Sequence, residues 1–188
     1  MLKITKVIAL ILCISLTSVF AQEEKFLEGK MIEKFEPKHA EEFISGYFAG
    51  IELFNDIARN STCIQDSETI IEDAFKLWNI LKDLKIDVHI ISNVKEIVLA
   101  VQEIVSHLKT EDDQCKAAAD LALNDIHRVI ERVGRDGYIK ELGSHTWKNV
   151  GPIEEMIKDG YSAFHGGNMQ EAGLNFGKAT KFIGFWDL

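Results

Sequence analysis

The stretch "EAGLNFGKATKFIGFWDL", residues 171–188, reads as a helix with two glycines, Gly173 and Gly177, four residues apart on one side of it. Each glycine inside a helix costs about 1 kcal/mol relative to alanine, so close packing has to compensate. Asn168, three residues ahead of Glu171, supplies the cap. The same device recurs in "FISGYFAGIELF", residues 43–54, where Ser45, Gly46, Ala49 and Gly50 sit beside aromatic side chains. Small residues four apart let another backbone or a large ring come close. Both stretches are expected to present a shallow notch, filled by Phe or Tyr side chains of neighbouring helices. The alternative occupant is a ligand's rings or acyl chain, and the residues bordering the notches, Tyr47, Phe48, Phe54, Phe176 and Phe182, are its candidate binding set.

Working outward, apolar residues recur at helical spacing along most of the chain. Phe43, Ile44, Tyr47, Phe48, Ile51, Phe54 and Ile57 predict a first helix over 39–59, with Pro37 tolerated in its first turn. Ile70, Ala74, Trp78, Leu81 and Leu84 give the second a broad apolar face, capped by Asp66 or Ser67. The third, over 90–108, is rich in β-branched residues, yet its three- and four-residue spacing and lack of turn residues say helix. Thr110 and Asp113 open a fourth, which "GRDG", residues 134–137, stops. A short segment over 138–142 precedes a fifth helix over 147–164, with Pro152 near its start. "HGG", residues 165–167, separates it from the last. The expected fold is all-α: an up-and-down bundle of five or six helices with one disulfide.

The first 21 residues have the three parts of a secretory signal: Lys3 and Lys6, an apolar run over 7–20, and small residues before a cut after Ala21. The run is shorter than the roughly 20 residues a bilayer span needs. A charged leader over 22–37 and a single bundle domain over 38–188 follow. The expected address is secreted, or the lumen of the secretory pathway.

The chain carries 21 basic and 30 acidic residues, a formal charge of −9; without Lys3 and Lys6 the count is 19 against 30, or −11. That balance argues against nucleic acid, which demands a basic footprint, and against an anionic membrane surface. With 46% hydrophobic residues and two prolines in 188, the chain can bury a core and form long helices. Cys13 falls in the signal. Cys63 and Cys115 remain, and an even pair in an oxidising compartment reads as a disulfide. If the second, third and fourth helices run up, down and up, the starts of the second and fourth lie at one end, and the bridge is geometrically natural. Asn60, in "NSTC", residues 60–63, is the one glycosylation sequon.

Catalytic and metal motifs are absent: no HExxH, EF-hand loop, Walker sequence or nucleophile elbow occurs. No histidine lies four residues from another, so no helix face offers a paired metal site. His127 beside Asp120, Asp125 and Glu131 is the best acid–base candidate, and it reads as a helix-boundary residue. "TEDDQ", residues 110–114, invites a calcium reading, but acidic residues in a first turn are explained by the helix dipole. Phe182, Phe185 and Trp186 crowd the last turn, and a cluster that size is expected to fold over the end of the bundle rather than stand exposed.

"DGYSAFHGGNMQEAGLNFGKATKFIGF", residues 159–185, with "FISGYFAGIELF", resembles small secreted α-helical proteins of ciliated protozoa, a group with no established activity. The resemblance covers both ends of the mature region and implies a secretory or endomembrane address and no catalytic residue. The expected function is a non-enzymatic interaction or structural protein with a protein partner and no cofactor or metal. The alternative is a carrier of a lipid or other apolar small molecule held between helices.

Overall fold

The computed structural model describes residues 36–52, 63–64, 68–84, 90–108 and 113–186. The signal segment, the leader to residue 35, Phe54 and the Asn60 sequon lie outside them. Among the described residues there are seven helices and no strand: α1 Pro37–Ile51, α2 Glu68–Lys82, α3 Ile90–His107, α4 Asp113–Val133, α5 Tyr138–Lys148, α6 Val150–His165 and α7 Met169–Gly184.

Seven replaces the expected five or six, and α5 accounts for the difference. Tyr138, Leu142 and Thr146 recur every four residues and are buried, so the short segment expected over 138–142 continues as a helix to Lys148. Trp147, expected to open the fifth helix, instead lies in the last turn of α5. Asn149 alone separates α5 from α6; its Nδ2 donates to the His145 carbonyl at 2.8 Å, satisfying a helix-end acceptor. Pro152 is the third residue of α6, where it removes no intrahelical hydrogen bond. At the other end of the chain α1 stops at Ile51, with Glu52 in the left-handed region at φ 63°; the remainder of the helix expected over 39–59 lies outside the described residues.

Other local signals fold as expected. Asn168 Oδ1 accepts the Glu171 amide at 3.2 Å and caps α7. Cys63 and Cys115 are joined by a disulfide with Cα atoms 5.3 Å apart, tying the chain ahead of α2 to the first turns of α4.

The core is centred on Trp78 of α2. Its indole stacks on Phe164 of α6 at 3.6 Å between ring centroids and meets Phe43 of α1, Tyr161 of α6 and Phe176 of α7 edge-on at 6.3, 5.7 and 5.6 Å. Four helices therefore converge on one ring. Edge-to-face geometry of this kind adds about 1 kcal/mol per pair to the area buried. The tail also packs inward: Phe185 is buried, and Trp186 lies parallel to His145 at 4.3 Å and to Tyr138 at 6.1 Å, both on α5.

Candidate functional site

The glycine notches are filled, though not by rings. A Cβ built on Gly46 would lie 2.0 Å from the Gln170 carbonyl oxygen, and one on Gly173 would lie 2.0 Å from that of Phe43. Cβ atoms on Gly50 and Gly177 would lie 2.3 Å from Leu174 O and 2.2 Å from Tyr47 O, and each would press within 3 Å of the other glycine's Cα. Helices α1 and α7 thus meet backbone to backbone. Partners ascend together, with 46 beside 170 and 50 beside 174–178, so the two helices run parallel. The expectation of Phe and Tyr filling the notches is corrected at all four positions. It describes Gly160 instead, where an added Cβ would lie 2.9 Å from Phe176 Cε2.

The seam also fixes where the candidate ligand residues stand. Tyr47, Phe48 and Phe176 are fully buried, and Phe182 is partly exposed. The Tyr47 hydroxyl donates to Thr180 Oγ1 at 3.0 Å across the same pair of helices, and burial raises its pKa against that hydrogen bond. Tyr47, Phe48 and Phe176 are packed in the core, with each other's helices against them. Phe54 lies outside the described residues.

Open space lies elsewhere. A groove of about 660 Å³, edged by charged side chains, runs along the outer side of α2 and α3. Residues along this seam pair in opposite order, so the helices are antiparallel: His107 Nδ1 meets Asp73 Oδ2 at 2.7 Å, and one turn on Lys76 pairs with Glu103. Beyond these the apolar lining is Phe75, Ile80 and Ala100, with Leu99 standing exposed among them. The far end carries Asp83 and Glu96, which have no cation partner among the described residues. Asn79 also lines it; its Oδ1 is screened from solvent and has no hydrogen-bond partner there. Asp73 is 5% exposed. Burial holds its pKa above the carboxylate range, with the hydrogen bond and charge of His107 pulling the other way.

Two further grooves flank this one. Val98, Leu99, Ile130 and Val133 line an apolar groove of about 400 Å³ between α3 and α4, with Lys95 at its rim. Leu84, Ile157 and Tyr161 line another of about 620 Å³ beside Glu154, Lys158, Ser162 and His165. The Tyr161 hydroxyl there donates to the Lys82 carbonyl, and burial with the charge of Asp83 pushes its pKa up to about 12.

The outer face of α5 is the reverse of the polar groove. Ile139 and Trp147 are 62% and 74% exposed, and Gly143, midway between them, has nothing within 4 Å of a built Cβ. Lys140 is exposed beside them. Sequence reading missed this face because Trp147 was placed at the start of a helix rather than the end of one. The signal was present in the four-residue spacing of Tyr138, Leu142 and Thr146.

The acid–base candidates are not assembled. His127 is exposed, and the Asp125 carboxylate is taken by Arg128 at 3.0 Å. Among the described residues no group of three His, Cys, Asp or Glu side chains could hold a metal ion, and no helix is long and apolar enough to cross a membrane. No family model, curated protein or solved structure matches the chain.

Proposed function

We propose that this is a non-enzymatic protein of the secretory route whose task is to contact another protein, in a structural or an adaptor role. The observation that carries the reading is the exposure of Ile139 and Trp147 on one face of α5, while the glycine notches are spent on the protein's own helices. Large aromatic side chains on a surface are the residues that anchor interfaces. The signal-like first 21 residues, the disulfide and the resemblance to secreted ciliate proteins support the address. An up-and-down arrangement is the architecture we favour. The antiparallel α2–α3 seam fits it, and so does the parallel α1–α7 seam, since strict alternation of seven helices leaves the first and last pointing the same way.

The carrier alternative rests on the apolar groove of Val98, Leu99, Ile130 and Val133, whose volume falls in the range of small-molecule sites. Native mass spectrometry of the protein purified from its own source separates the two readings. A complex between protein chains is the expected result. A discrete small-molecule mass released on unfolding would move the function to the groove between α3 and α4. A strictly monomeric protein with no companion of either kind would remove the interaction reading.

A further inference from the structure

We propose that the partner is a second copy of this chain, the outer face of α5 in one copy seating in the groove between α2 and α3 of the next. This rests on the interaction reading and adds to it the identity of both surfaces.

The two surfaces match in charge. The groove presents Asp83 and Glu96, which have no cation partner among the described residues, and Glu103 at its edge already holds Lys76. Helix α5 presents Lys140 on its outer face, about 60° from the centre of the Ile139–Gly143–Trp147 stripe, while Lys148 is turned about 140° from it. Its one acidic residue, Glu141, is turned about 160° from the centre of the Ile139–Gly143–Trp147 stripe at 100° per residue. In a chain with a formal charge of −9, this helix is a local excess of positive charge.

They also match in length and relief. The 11 residues of α5 span about 16 Å, and the groove from Asn93 to Glu103 spans about 15 Å. On the groove side Leu99 stands 48% exposed as a knob. On the α5 side the bare backbone at Gly143, between Ile139 and Trp147, is the hollow that would receive it. The Trp147 ring N–H brings a donor, and Asn79 Oδ1, an acceptor with no partner among the described residues, lines the groove. The chain already builds one seam from glycines facing a neighbour, between α1 and α7. The proposed contact repeats that device between molecules.

Because the two surfaces differ, the contact is heterologous, and each copy carries one of each. The test is sedimentation velocity of the full secreted chain with its disulfide intact, over a concentration series at low and high salt. Concentration-dependent association that weakens with salt is expected. Trp147→Ala on the α5 side should weaken it at least about 30-fold, as for an anchor residue, and so should Glu96→Lys with Leu99→Ala on the groove side. Lys140→Glu gives a second, independent lesion on α5. All these positions are exposed, and circular dichroism checks that each variant is folded.

Mixing decides the case. A chain with a lesion on α5 keeps its groove, and a chain with a lesion in the groove keeps its α5, so an equimolar mixture should form one-to-one dimers that neither variant forms alone. Association untouched by either lesion, or no recovery on mixing, overturns the proposal. A monomer at every concentration also overturns it; if native mass spectrometry still finds a different protein bound, the interaction reading survives without it.

Discussion

Between α1 and α7 the backbones touch, and between α2 and α3 the side chains do. At the first seam glycine removes every side chain that would hold the helices apart, and a built Cβ reaches within 2.0 to 2.3 Å of a carbonyl oxygen at four places. Nothing can enter such a contact. At the second, Asp73 with His107 and Lys76 with Glu103 bridge the outer edge, and a groove of about 660 Å³ remains beyond them. Close backbone contact secures the fold and leaves no room for a ligand. Side-chain contact leaves relief and uncompensated charge on the outside, where a partner can use them. The disulfide falls on the second side of this division, joining the chain ahead of α2 to the start of α4.

The largest effect should come from cutting that covalent tie. Cys63 and Cys115 are 52 residues apart in sequence. Removing the bridge with Cys63→Ser and Cys115→Ser should cost about 4 kcal/mol in the chain-entropy model. Hydrogen exchange should show protection falling first in α2 to α4 while α1 and α7 hold. Uniform loss across all helices would mean that the two seams unfold as one unit and that the comparison has no energetic content.

Next comes Gly173→Ala, a single methyl group driven toward the Phe43 carbonyl. Neither helix can yield locally, because the obstacle is backbone, so a loss of about 3 kcal/mol is expected, at the upper end of overpacking costs. Denaturant unfolding measures it. A change below about 1 kcal/mol would show that α1 and α7 can slide apart and that the seam is looser than its geometry.

A smaller effect tests the second seam through pH. Burial raises the Asp73 pKa above its ordinary 3.8, ahead of the lowering by the His107 hydrogen bond and charge, with Glu103 adding to the rise and Lys76 opposing it. The folded state therefore keeps this proton to higher pH than the unfolded chain does. The contribution is fully present below about 4 and is lost as pH rises through the folded-state value. The stability of the native chain minus that of Asp73→Asn should fall with rising pH in that window. A difference that rises instead would mean that the pairing with His107 outweighs the cost of burial.

Much of this was legible in the residues. The apolar spacing, the Asn168–Glu171 cap and the pairing of Cys63 with Cys115 are local or nearly so, and each reappears in three dimensions. The glycine pairs announced close packing but not their partner. Which helix fills a notch depends on the arrangement of all of them, and Tyr47 and Phe176 looked like the rim of a ligand site because they adjoin the glycines in sequence. The polar groove was illegible for a related reason. Asp83, just past α2, and Glu96 on α3 each look like an ordinary solvated residue, and only the antiparallel register brings them to one end. Helix α5 was read as a short segment because Trp147, in its last turn, was assigned to the start of the next helix.

Gly143 gives the smallest effect and the sharpest contrast with Gly173. Both are helical glycines, and alanine adds the same methyl group to each. At Gly143 that methyl meets nothing within 4 Å, so only the intrinsic preference of alanine for helix remains. Gly143→Ala should therefore stabilise the protein by about 0.5–1 kcal/mol, measured by unfolding at concentrations where the chain is monomeric. The same methyl fills the hollow between Ile139 and Trp147, so it should weaken self-association while strengthening the fold. A glycine kept where alanine would fold better is one whose bareness serves something outside its own chain. If Gly143→Ala stabilises the protein and leaves association untouched, that hollow has no occupant and Leu99 docks elsewhere.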